Sequence, residues 1–503
     1  MHLSFQLKRA IVAPALLLLL VPSSVRADYT VVPNKDENRG VWEGWGCSLC
    51  WWGNGVGNSA YQNTYADLFF TLKNVSFFGN ALPGLGMNLV RYNVGGGGRN
   101  DNIGGATENV PSDFPWFKDI DGYQVNWYNF DPASDSWDWS RDARQRAVLK
   151  AALDRGVNHV EFFANAPMWW MTHEKSSAGG ALQWWNRRDF MRYLATVAKY
   201  ARDRWGVRVE SIEPFNEPSA GWWTYPKGQE GCNIGGNEQA EMLGYLREEL
   251  DARGLKDIAI AASDENTMTQ ARSTHEFFKG KSVSVNGVNR TVDSLVDTVN
   301  VHAYNGLDPW RDNAARQRLR RSAGDKRIRM SEYGDPDGSG MALAQTIIED
   351  INHLRPTAWI YWQPLEPYSG WGLVNGDYAG SENAPDRGKP TWIYTKYYVF
   401  AQFSRFLRPG FRLLGSNDDN SIVAYDDRRK ELVMITLNYG NAQKITYDLR
   451  FLKRATGKVA VVATGTDHSK RLFRSVAMIR GGRLEIAAEP NTLYSITVTG
   501  ATP

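Results

Sequence analysis

Between residues 42 and 408 the chain alternates two patterns, and that alternation limits its fold more than any other feature. Short apolar runs of strand length are followed by longer stretches with helical period. The apolar runs predict strands over 42–49, 87–94, 158–165, 208–215, 257–263, 298–304, 327–331 and 358–363. Among the intervening stretches, "RDFMRYLATVAKYARDRW" (188–205) sets Phe190, Leu194, Val197 and Ala198 on one helical face. The stretches 238–252 and 341–354 behave alike, and 396–407 closes the series before Arg408-Pro409-Gly410. Eight strands alternating with helices predict an α/β chain folded as a (β/α)8 TIM barrel, whose strands, buried on both faces, read as near-continuous apolar runs.

After Gly410 the period changes to two. "SIVAYDD", "ELVMITLNY", "KITYDL", "VAVVAT", "RLEIAAE" and "LYSITVTG" alternate apolar and polar residues and are separated by turn residues. They predict a C-terminal antiparallel β-sandwich side domain. "DYTVVP" (28–33) has strand composition and is expected to add an edge strand to it. The expected division is therefore a signal peptide over 1–27, an N-terminal segment joining the β-domain over 28–41, the barrel over 42–408 and the β-domain over 409–503. The leader is read from Lys8 and Arg9, the apolar run 10–21 and the small residues near Ala27, and it implies a secreted, extracellular protein. The sequons at Asn74 and Asn289 are compatible with glycosylated loops.

A net charge of +3, from 58 Lys and Arg against 55 Asp and Glu, with no basic run, is no footprint for nucleic acid or an anionic membrane. Three cysteines, Cys47, Cys50 and Cys232, make no disulfide framework; a pair among them, or three packed thiols, both remain open. Tryptophan is abundant, at 20 residues, and paired at 51–52, 169–170, 184–185 and 222–223. Any one indole can serve the core. An excess placed in loops fits flat platforms for the apolar faces of sugar rings.

In such a barrel the site forms at the carboxyl ends of the strands. Strand four runs into Asn216-Glu217-Pro218 and strand seven ends in Glu332. Strand two supplies Arg91, strand three leads to Trp169, strand six brings His302 and Tyr304, and strand eight brings Trp362. Two carboxyl groups facing each other across the axis suit glycoside cleavage, one protonating the departing oxygen while the other attacks the anomeric carbon or activates water. Sequence sets no distance between them, so retention and inversion both remain open. His159, His173 and His302 lack ligand spacing, and no metal or other cofactor is expected.

"FNEPSAGWW" with "MSEYG" resembles glycoside hydrolase family 30, whose members pair a (β/α)8 barrel with a side β-domain. The resemblance implies a retaining hydrolase with Glu217 as acid/base and Glu332 as nucleophile. It also implies that Arg91, Trp169, Asn216, His302, Tyr304 and Trp362 line the subsite of the cleaved sugar. "GWGCSLCWW" (44–52) resembles the endo-β-1,6-galactanase branch, which implies cleavage of β-1,6-galactosidic linkages in galactan or arabinogalactan side chains. The expected partner is that polysaccharide, acted on by a monomer. The alternatives are a β-1,6-glucanase or xylanase of the same family, or an inactive carbohydrate-binding protein. The last would have lost a carboxylate, and both are present.

Overall fold

The computed structural model describes residues 28–304, 312–368, 370–453, 457–466 and 471–503; the expected leader, 1–27, lies outside them. Eight parallel strands close a barrel: β1 Gly44–Ser48, β2 Leu89–Asn93, β3 His159–Phe163, β4 Ser211–Glu213, β5 Ala259–Glu265, β6 Thr298–His302, β7 Arg327–Tyr333 and β8 Ala358–Tyr361. Each pairs with its neighbours in chain order, and β8 returns to β1. All eight lie within or close to the apolar runs that predicted them.

Alternation along each strand divides two environments. Val90 and Tyr92, Val160 and Phe162, Val299 and Val301, and Ile328 and Met330 join the large core that includes residues of the surrounding helices. The alternate positions belong to the barrel interior, which was expected to be apolar. Only Leu89, Ala358 and Ile360 form a separate apolar cluster there. Arg91, Glu161, Ser211, Asn300 and Arg329, all fully buried, share that interior. These groups are tolerated because they pair. Arg91 Nε and Asn300 Nδ2 donate to Glu161 Oε1 at 3.1 and 2.9 Å, and Ser211 Oγ donates to Glu161 Oε2 at 2.9 Å.

The helices occupy the predicted intervals. Arg187–Tyr200 continues through a π turn, Ala201–Trp205, and stops at Gly206, whose φ of +67° a glycine adopts without strain. Gly236–Ala252, Met341–Glu349 and Thr395–Phe406 follow. Cys47, Cys50 and Cys232 are buried free thiols.

The side domain is a ten-stranded sheet, antiparallel except at one edge. Tyr29–Val31 pairs in parallel with Gln443–Asp448 at that edge, and Pro33–Val41 closes the other beside Arg412–Ser416. Period-two alternation again assigns the faces. Leu413, Ile422, Ala424, Val433 and Ile435 pack into the barrel's core, while Leu414, Val423, Tyr425, Leu432 and Met434 fill the sheet's own core. Gln402 of the last helix fastens the two parts. Its Nε2 donates to Thr464 Oγ1 at 2.7 Å and to the Leu493 carbonyl at 3.3 Å, and its Oε1 accepts from Ser495 Oγ at 2.9 Å.

Gln402→Ala leaves buried partners unsatisfied and should lower the unfolding free energy by about 2–4 kcal/mol. Chemical denaturation measures it. An unchanged midpoint would mean that the apolar faces alone hold the sheet to the barrel.

Candidate active site

At the carboxyl ends of the strands the backbone turns irregular. The register slips near the ends of β5, β6 and β7, between Ser263 and Glu265, Val301 and His302, and Met330 and Tyr333. Such bulges re-aim side chains, and Asp264, His302 and Glu332 lie within or beside them. Glu217 stands four residues beyond the end of β4 rather than on it, with φ +47°, and Asp264 has φ +54°. Non-glycine residues enter this left-handed region at a cost of about 1 kcal/mol, which surrounding contacts must offset. Here Glu217 N donates to the Asp264 carbonyl at 2.9 Å, and the Glu217 carbonyl accepts from Ala220 N at 2.9 Å and from the Trp223 indole at 3.1 Å. The tryptophan pair after Glu217 thus secures its backbone through Trp223, while Trp222 is exposed and neither lines the cleft.

The two glutamates open into one cleft of about 510 Å³. A carboxylate oxygen of each and one His302 nitrogen lie within 4.8 Å of one another. Glu217 Oε1 accepts from Asn266 Nδ2 at 2.6 Å and meets His302 Nδ1 at 3.1 Å. Glu332 Oε1 accepts from the Tyr304 hydroxyl and Glu332 Oε2 from Arg91 Nη1, both at 3.3 Å. Arg91 also binds Glu161 and Asp264, and the Ser331 hydroxyl donates to Asp264.

These contacts set the charges. Burial pushes the Glu332 carboxyl up; His302 and Arg91 pull it back, Glu217 and Asp264 oppose them, and it comes to about 7. Burial alone would lower the His302 imidazole, but the carboxylates of Glu332, Asp264 and Glu217 outweigh it and hold the ring at about 10. Burial would likewise raise Asp264, yet Arg91 and His302 keep it ionised, at about 2. Burial, with Asp264 and Glu161, raises Glu213 well above the usual carboxylate range. Glu217, His302 and Glu332 have the spacing to hold a cation, which would have to displace a proton from the imidazole.

Of the residues singled out from sequence, Asn216, Glu217, Tyr304, Glu332 and Trp362 line the cleft. The Asn216 Oδ1 acceptor has no partner among the described residues. Arg91 and His302 are fully buried beneath the two glutamates, where they contact carboxylates instead of lining the subsite. Trp169 does not line it either. It is fully buried behind the glycine loop that follows β2, with its N–H on Asp101 Oδ2 at 3.0 Å and its backbone N on the Gly96 carbonyl at 2.7 Å. A Cβ on Gly98 would come within 2.3 Å of its Nε1, so glycine is needed for this close approach. The cleft also contains Trp51, Phe117, Lys118, Asn266, Glu366 and Trp371, which sequence reasoning did not place there.

Tyr304→Phe removes a donor that favours the ionised form of Glu332. Carboxyl-carbon NMR should show the Glu332 titration moved upward by about half a unit to one unit. An unmoved midpoint would mean that Arg91 and His302 alone govern it.

Residues 28–333 match O-Glycosyl hydrolase family 30. The chain is 40% identical over 501 residues to an endo-beta-1,6-galactanase of Hypocrea rufa, covering 98% of this chain and 99% of that protein. Among solved structures it resembles a conserved exported protein from Bacteroides fragilis (TM-score 0.71, 19% identity, 93% of this chain and 100% of that one). The catalytic domain of GH30 xylanase C from Talaromyces cellulolyticus is also similar (TM-score 0.66, 17% identity, 94% of this chain and 100% of that one). The two structural likenesses concern the fold, a barrel carrying a β-rich side domain. The sequence matches go further: this chain belongs to glycoside hydrolase family 30 and is an O-glycosyl hydrolase.

Proposed function

We propose that the protein is an endo-β-1,6-galactanase that cleaves galactan or arabinogalactan side chains with retention, Glu332 acting as nucleophile and Glu217 as acid/base. The observation that carries the mechanism is the approach of the two carboxylates, with oxygens within 4.8 Å of each other. Retaining glycosidases keep their carboxyl groups about 5–5.5 Å apart, whereas inverting ones leave room for a water at about 6.5–9.5 Å. The substrate is supported by the similarity to the Hypocrea rufa galactanase along nearly the whole chain.

In the first step a Glu332 oxygen bonds to the anomeric carbon while the bond to the leaving oxygen breaks. Glu217 transfers its proton to that oxygen. Arg91, His302 and Tyr304 face Glu332 and favour its charged form before attack. Once Glu332 is esterified its negative charge is gone, so a charge on Glu217 meets less repulsion. In the second step Glu217 takes a proton from water, the water oxygen bonds to the anomeric carbon, and Glu332 leaves as carboxylate. Two inversions restore the β configuration. The unpartnered Asn216 Oδ1 is placed to accept a sugar hydroxyl.

The same reading makes the enzyme a secreted monomer. The leader pattern of residues 1–27 supports the secretion.

Purified protein incubated in parallel with β-1,6-galactan, β-1,6-glucan and glucuronoxylan should release oligomers from the first alone. NMR during the first minutes should show the β anomer. Release from glucan alone would reassign the substrate, and an initial α anomer would overturn double displacement. Glu332→Gln should lower kcat by at least about a thousandfold with the fold intact, since it removes the attacking charge but little volume. Glu217→Gln should lose activity on polysaccharide while keeping far more on aryl glycosides with good leaving groups. Equal losses on both would rule out its acid role.

A further inference from the structure

We propose that Lys118 is a substrate-binding residue: its ammonium donates to hydroxyl oxygens of the sugar held between Glu217 and Glu332, with Glu366 as an acceptor in the same wall, so that this wall selects the sugar. The proposal rests on the galactanase reading above.

The barrel order separates two arcs between the glutamates. On one, the ends of β5 and β6 bring Asn266, His302 and Tyr304, which make hydrogen bonds to Glu217 and Glu332. On the other, the segments following β8, β1 and β2 bring Trp362, Glu366, Trp51 and Lys118 to the same cleft. The anomeric carbon must lie between the two carboxylates, so the far edge of the ring, with its remaining hydroxyls, is read by this second wall.

Lys118 is the only cationic residue lining the cleft among the described residues. It ends a short turn, Trp116–Lys118, and is half-buried. None of its three ammonium donors is used in a hydrogen bond or ion pair with the described residues. The ammonium lies over the Trp51 ring, 4.2 Å from its centroid. That ring is fixed in turn. Trp51 N donates to Gln363 Oε1 at 2.7 Å, Gln363 Nε2 donates to Glu366 Oε1 at 2.6 Å, and Trp362 meets the ring edge-on at 5.0 Å. The cation therefore sits on a rigid plate, close to a carboxylate that raises its pKa while burial, the larger effect, lowers it.

A half-buried ammonium with unused donors is costly unless something supplies oxygen acceptors. In a cleft that places a glycosidic bond between two carboxylates, those acceptors are sugar hydroxyls. The cation covers one face of Trp51, and the indole is 4% exposed, so this ring is no stacking platform. Stacking accepts most pyranoses with an apolar face. Directed donors distinguish one hydroxyl orientation from another, and a donor left without its acceptor penalises the wrong sugar.

Lys118→Met keeps the stem over Trp51 and removes the donors. On β-1,6-galactan its kcat/KM should fall at least about tenfold, with the thermal midpoint unchanged. Lys118→Arg should recover part of the loss, and Lys118→Gln should fall between. Values for the methionine and glutamine variants within about twofold of the parent would overturn the proposal. Wild-type protein that cleaves β-1,6-glucan instead of galactan would sink the galactanase reading, and the same variants assayed on glucan would then decide Lys118 separately.

Discussion

One guanidinium holds the barrel's axis and its active site to the same geometry. Arg91 is fully buried and contacts Glu161, Asp264 and Glu332 together. A charge so far from water is tolerable only if every donor is matched, and removing one partner of a buried pair typically costs about 3–5 kcal/mol. The three carboxylates have the same requirement. Glu161 is satisfied by Arg91, Asn300 and Ser211, and Asp264 by Arg91, Ser331 and His302. The network runs through strands β2, β3, β4, β5, β6 and β7. Shifting one strand by a residue would exchange its inward and outward side chains and leave several charges unpaired. The polar interior therefore specifies register, and the register delivers Glu332.

Much of this was legible in the sequence, because periodicity reports burial. The barrel strands lie between helices and an interior, so their apolar runs stood out even though alternate residues are charged. The interior charges were harder to anticipate. Arg91, Glu161 and Arg329 look like isolated interruptions in apolar runs, and only closure of the barrel shows that they meet. Asp264 was missed for a related reason. It follows "AIAAS" at a bulge, with a positive φ that ordinary strand pattern does not anticipate. Glu217 and Glu332 were found through their neighbours in sequence, although Glu217 reaches the cleft from an irregular turn beyond β4.

Loops account for the remaining differences. Trp169 was assigned to the cleft by its place after strand three, yet an indole can serve a loop's interior as well as a sugar's face. Here the glycines of 95–98 let the chain close over it. Lys118 lies in the long connection between β2 and β3, where no period marks which residues point inward. The strands Arg412–Ser416 and Phe473–Arg480 of the side domain were not anticipated either. In the second, Phe473, Val476 and Met478 are exposed, so its residues lack the alternation of a strand with one buried face.

The charges around the two glutamates follow from the same network, and they are not distributed evenly. His302 is surrounded by carboxylates and stays positive, and Arg91 is positive at any accessible pH. Both contact Glu332 directly. Glu217 meets His302 and the neutral amide of Asn266, with no arginine contact among the described residues. Positive charge beside a carboxyl group favours its ionised form. The asymmetry is therefore carried by Arg91, the same residue that ties the strands together. Evening out the two surroundings would require moving that guanidinium, and moving it would break the pairing on which the barrel's interior rests.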